Sequence, residues 1–138
     1  EMIKLLKHTI GINPKHSEAL NYLGYSYADK GINLKEALSL IKKALDLKPD
    51  SGYIVDSLGW VYFKMGRYAE AIETLRKAAD IINNDPVIYE HLGDAYLSGG
   101  DSQNALDTWK KAVEFHEKEE GLKQRVEKKI QDLKLKIK

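Results

Sequence analysis

The sequence predicts an all-α chain in which antiparallel helix pairs stack into a solenoid, with a capping helix at the C-terminal end. Three observations carry this prediction. The segments "LNYLGYSYADKGINLKEAL", "DSLGWVYFKMGRYAEAI" and "YEHLGDAYLSGGDSQNAL" superimpose on one another. Apolar residues in each follow a 3.6-residue rhythm on both sides of a glycine-bearing turn at Gly31, Gly66 or Gly99 and Gly100. No stretch shows a convincing strand pattern.

The repeat register locates the units, which run over residues 17–51, 52–85 and 86–117. Leu23, Leu58 and Leu92 correspond, as do Gly24, Gly59 and Gly93, then Tyr27, Tyr62 and Tyr96, at steps of 35 and 34 residues. Ala37, Ala71 and Ala105 follow at 34 and 34, and so do Ala44, Ala78 and Ala112. The extra residue of the first unit therefore falls just after Gly31, where "INLKEA" replaces "RYAEA" and "DSQNA". A glycine inside a helix costs about 1 kcal/mol against alanine. Gly24, Gly59 and Gly93 thus predict close approach of the second helix of each pair, with Ala37, Ala71 and Ala105 facing them. Tyr27, Tyr62 and Tyr96, together with Ile41, Leu75 and Trp109, fill the remaining space. One pair alone cannot bury its apolar face, so stacking completes the core.

The two ends read differently. Residues 1–16 fit the second helix of a preceding unit, with Leu6 matching Ile41 and Pro14 matching Pro49, and Ile3, Leu6 and Ile10 left as an apolar stripe without its partner helix. Over residues 118–138, Leu122, Val126, Ile130, Leu133 and Ile137 recur at four, four, three and four, which makes one helical stripe and the expected cap.

These residues resemble the tetratricopeptide repeats, whose pattern runs W-x2-L-G-x2-Y, then A-x3-F, then P. Leu20, Leu23, Gly24, Tyr27, Ala37, Ile41, Ala44 and Pro49 match it in the first unit. Val55, Leu58, Gly59, Tyr62, Ala71, Leu75 and Ala78 match in the second, with Asn83 where proline is usual. Tyr89, Leu92, Gly93, Tyr96, Ala105, Trp109 and Ala112 match in the third, with Glu117 at the proline place. The resemblance implies a right-handed solenoid whose first helices line the concave face. The wording "LGYSYADKG" and the stretch from "ALSLIKKALDLKPD" onward also look like bacterial cell-envelope repeat proteins, including lipoproteins that act as protease adaptors, which implies an envelope or periplasmic location.

Composition excludes several classes of function. A chain of 138 residues, 43% hydrophobic and 31% charged, has length for one domain and no apolar run that approaches a bilayer span, so direct membrane insertion is not expected. Nothing at Glu1 resembles a signal peptide, and "MIKLLKHTI" already runs in helical rhythm, as an excised piece would. Cysteine is absent, which removes disulfides and thiolate chemistry and leaves the redox compartment open. Residues 118–138 carry eight Lys or Arg against four Asp or Glu, while residues 17–117 carry eleven against sixteen. An acidic body excludes a uniform nucleic-acid face, and the basic tail reads as a solvated helix face.

Catalytic and metal motifs are missing or broken. "HEKEE" at 116–120 places Glu120 where a zinc helix needs its second histidine. His91 and Asp94 share a helix face, but two ligands make no metal site. No catalytic residue, metal or cofactor is therefore expected, and the chain is read as a non-enzyme.

What remains is the inner surface. With the packing positions assigned, the opposite side of the first helices carries Asn21, Tyr22, Tyr25 and Asp29 in the first unit, Tyr53, Asp56, Ser57, Trp60 and Lys64 in the second, and Glu90, His91 and Asp94 in the third. Aromatics among acids suit a protein partner that offers a peptide or a helix with apolar anchors and basic residues, since Tyr and Trp give large contact area at low entropy cost. The alternative for Trp60 and Tyr25 is that they seal the stack against a neighbouring helix. A chaperone-tail receptor is disfavoured, because its clamp places hold Asn21, Tyr25, Ser57, Val87 and His91 and lack the cations a carboxylate needs. The competing expectation is a structural module that forms homo-oligomers through the N-terminal edge.

Overall fold

Several helices in this chain begin where a side chain takes up a free amide of the first turn. The Ser51 hydroxyl accepts from the Ile54 amide at 3.3 Å, the Asp85 carboxylate from Val87 at 2.8 Å, and the Asp101 carboxylate from Asn104 at 3.1 Å. Pro86, lacking an amide hydrogen, stands in the first turn that Asp85 opens. The structure is a computed structural model and describes residues 1–137. In chain order it holds α1 (Met2–Ile12), α2 (Ser17–Lys30), α3 (Leu34–Leu47), α4 (Gly52–Lys64), α5 (Tyr68–Ile81), α6 (Pro86–Ser98), α7 (Ser102–Glu114), a short 3₁₀ turn (His116–Lys118) and α8 (Leu122–Lys136).

Three hairpins, α2/α3, α4/α5 and α6/α7, make the most extensive contacts, and each second helix also packs on the first helix that follows it. Successive first helices touch one another as well, most closely α2 and α4. Comparable contact between successive second helices is lacking among the described residues, so the first helices form the inner layer of the stack.

The glycine positions explain why each hairpin closes so tightly. A Cβ built on Gly24 would sit 2.5 Å from Ile41 Cγ1, and one on Gly59 would sit 2.5 Å from Leu75 Cγ. One on Gly93 would enter the Trp109 ring. The large side chain of the second helix therefore lies directly on glycine backbone, while Ala37, Ala71 and Ala105 are fully buried beside it. The extra residue of the first unit appears as Asn33, which opens α3 in the left-handed region at φ 49°, a conformation asparagine tolerates better than other non-glycine residues.

Two details at the ends differ from the sequence reading. Ile3, Leu6 and Ile10 are not the open stripe of α1: they pack against the core through α2, and Met2, Leu5 and Ile12 are the side chains left exposed. In α8, Leu122, Val126 and Leu133 are buried against α7 and Ile130 packs beside them, but Ile137 lies beyond the last turn and is exposed. Among the described residues no helix is long and apolar enough to cross a membrane.

Candidate functional site

The inner layer brings all twelve candidate residues onto neighbouring first helices but treats them in three ways. Tyr22, Asp29 and Tyr53 are exposed, Tyr25, Lys64 and Asp94 are half-buried, and Asn21, Asp56, Ser57, Trp60, Glu90 and His91 are buried. The last group is a correction to the helical-wheel expectation. Those positions point away from their own hairpin, yet the next first helix closes over them.

Trp60 shows how the closure works. It is 8% exposed, and its ring stacks on the His91 imidazole with centroids 4.0 Å apart and on Phe63 at 4.7 Å. Its indole N–H donates to Asp29 at 3.4 Å, and Lys64 Nζ reaches the Asp29 carbonyl at 3.4 Å and lies 5.3 Å above the Trp60 ring. Trp60 thus seals the α2–α4–α6 joint. Its neighbour Ser57 donates within α4 to the Tyr53 carbonyl at 3.1 Å.

The buried acids are met by bases from the following first helix. His91 Nδ1 donates to Asp56 at 3.0 Å. Arg125 of α8 donates to Glu90 through two nitrogens, the shortest contact being 2.7 Å. Lys129 bridges Glu90 and Asp94, each at 2.9 Å, and the Trp109 indole N–H adds a bond to Asp94 at 3.2 Å. The basic tail is therefore not simply a solvated face, since Arg125 and Lys129 turn inward to neutralise α6. The pairing was visible in principle, because Glu90 and Asp94 on one helix and Arg125 and Lys129 on the other share the same i,i+4 spacing.

Proton affinities follow from these contacts. Burial alone would lower the pKa of His91, but the Asp56 carboxylate outweighs it by charge and hydrogen bond, with Asp94 and Glu90 adding to the effect, and the imidazole stands above its usual 6.5. Burial tends to raise Glu90, yet Arg125 and Lys129 hold it below the ordinary carboxylate value. For Asp94 burial prevails over Lys129, so its carboxyl is raised. The Tyr25 phenol is pushed well up by burial and by Asp29, Asp56 and Glu90.

Among the described residues, two of the hollows on the inner face are sizeable. The larger, about 550 Å³, is walled by Asn21, Tyr22 and Tyr25 of α2, by Tyr53, Ile54, Asp56 and Ser57 of α4, and by Val87 of α6. Glu18, Lys48, Ser51 and Asp85 complete its rim, none of which the sequence reading assigned to a site. Glu18 stands one turn before Tyr22 and could have been found by that spacing, whereas Lys48, Ser51 and Asp85 come from the ends and turns of units and carried no periodic signal. The second hollow, about 400 Å³, lies further along between Phe63, Leu97, Trp109, Lys129 and Leu133. Along α4, Trp60 sits between the residues of the two.

Paired helices stacked as repeats, with an inner layer that carries an aromatic-walled recess, define a helical-repeat protein. A family model for the TPR repeat matches residues 59–100. TPR repeat-containing protein PA4667 of Pseudomonas aeruginosa is 41% identical over 70 residues, covering 51% of this chain and only 12% of that protein's length. TTC0263, a TPR protein of Thermus thermophilus, superposes with a TM-score of 0.78 at 24% identity, over 91% of this chain and 70% of that one. PcrH, solved in complex with the chaperone binding region of PopD, superposes with a TM-score of 0.77 at 19% identity, over 88% and 92% of the two chains. The match to the tetratricopeptide-repeat family thus falls on residues 59–100, and the chain shares its fold with solved TPR proteins.

His91 gives the site a measurable signature. A folded pKa raised above the unfolded value contributes stability that is complete below about pH 6.5 and is lost as pH rises through the folded pKa. Stability of wild type to urea should therefore fall as pH rises from below about 6.5 through the raised pKa of His91. His91→Gln should be less stable by about 2 kcal/mol at the acid end, as for a lost charge-assisted hydrogen bond, and nearly flat across the same range. Equal slopes for the two proteins would refute the assignment.

Proposed function

We propose that this chain is a non-catalytic protein-interaction module in which a segment of a partner protein lies in the recess between α2 and α4. The observation that carries the reading is the pairing of that recess with Tyr22 and Tyr53, which are 57% and 59% exposed at its wall. Large aromatics left in water beside a concavity are poor packing and good contact surface. The recess has the volume of an ordinary ligand site, roughly 300 to 1,000 Å³, and its rim carries Glu18 and Asp85 against Lys48, which favours some basic character in the partner. Asp56, Glu90, His91 and Asp94, the acid–base groups of the inner face, are tied to one another or to α8, which supports docking over chemistry. PcrH offers a parallel of fold, since that protein has been seen with a segment of another chain.

A second reading has an observation of its own. Met2, Leu5 and Ile12 leave an exposed apolar line on α1, consistent with self-association there. Light scattering across concentration tests it: wild type should dimerise and Leu5→Lys should not, and a strict monomer at every concentration removes the reading.

For the principal reading, a partner captured from the source cell with the intact chain should lose at least about tenfold in affinity to the Tyr22→Ala/Tyr53→Ala variant, the scale of one good interface residue. Its thermal midpoint should barely move, because both rings are exposed. Unchanged affinity in a folded double variant would contradict the assignment.

A further inference from the structure

Among the described residues, Asn21 Oδ1 is a buried side-chain acceptor without a hydrogen-bond partner, on a residue 9% exposed that walls the recess. The repeat shows what is missing. Asn21 stands at the place of Asp56 and Glu90 in the next two units, and both of those are met by a donor from the following first helix, His91 and Arg125. The residue at the place of His91 on α4 is Ser57, whose hydroxyl turns instead to the Tyr53 carbonyl. Trp60 and Lys64 tie α4 to Asp29 further along α2, but the Asn21 position of that joint is left unmet, and it lies beside the recess. A buried acceptor left unmet destabilises the fold, a cost an apolar side chain would not carry. The carboxamide turns easily about its terminal torsion, so either its oxygen or its nitrogen can be offered to an occupant.

We propose that the occupant of the recess is an extended segment of the partner, and that Asn21 hydrogen-bonds to a backbone amide of that segment. The inference rests on the groove reading above and narrows it. A helical partner has its main-chain N–H and C=O groups paired internally except at its ends, and offers Asn21 nothing along its length. An extended segment has both groups free at each residue. Its side chains alternate in direction, so one set can meet Tyr22 and Tyr53 while Glu18 and Asp85 attract a basic residue at the rim.

The test uses peptides selected from a random library against the intact chain, with competition by the Tyr22→Ala/Tyr53→Ala variant to confirm the recess. The best binder is remade with each backbone amide in turn replaced by an ester, which removes the N–H and weakens the carbonyl as an acceptor. One such ester should reduce affinity for wild type about tenfold and make little difference to Asn21→Leu, whose thermal midpoint should equal or exceed that of wild type. Asn21→Ala gives the same comparison without adding bulk. If the peptide gains helical circular dichroism on binding, or if no ester distinguishes wild type from the Asn21 variants, the proposal is overturned while the groove reading stands. A library that yields no binder sensitive to Tyr22 and Tyr53 overturns both.

Discussion

A carboxylate buried between two helices must be met by a donor, and the position of that donor fixes how the helices sit. Successive first helices in this chain are joined in that way: Asp56 by His91, Glu90 by Arg125, and Asp94 by Lys129. Each joint places the base one unit further on, so the inner layer is held in register by directional contacts laid over a non-directional core. Breaking one side of such a joint strands a charge where water cannot easily replace the partner. The joints also determine what is left for a ligand, because every acid they engage is withdrawn from the inner surface.

The result is a surface of unequal halves. Towards α8 the acids are neutralised, the Trp109 indole is in use as a hydrogen-bond donor, and Arg125 and Lys129 of the basic tail turn into the structure. Towards α2 the Asn21 position lacks a donor, Tyr22 and Tyr53 stand in solvent, and the larger recess lies beside them. Exposed aromatic surface collects where internal pairing stops. Trp60, stacked between Phe63 and His91, belongs to the boundary, and the His91 ring lies in turn beside Tyr25 at the floor of the recess.

The helical repeat class could be read from the sequence because its determinants are local and periodic. Gly24, Gly59 and Gly93 answer to Ile41, Leu75 and Trp109 through contacts inside one hairpin, and a fixed spacing reveals them. The cover over Asp56, Ser57, Trp60, Glu90 and His91 was not legible, since it depends on how one hairpin is rotated against the next. A helical wheel knows only its own helix. The same limit explains α1, where Met2 or Ile3, Leu5 or Leu6, and Ile10 or Ile12 could have faced inward and contact with α2 selected Ile3, Leu6 and Ile10. Arg125 and Lys129 were read as a wet face because their counterparts lie 35 residues away on α6.

Hydrogen exchange on the complex with a captured partner tests most directly whether internal pairing sets the place of binding. Slower exchange in the first turns of α2 and α4, with α8 unchanged, is the predicted footprint. Protection concentrated in α8 and the end of α6, with α2 untouched, would contradict the account.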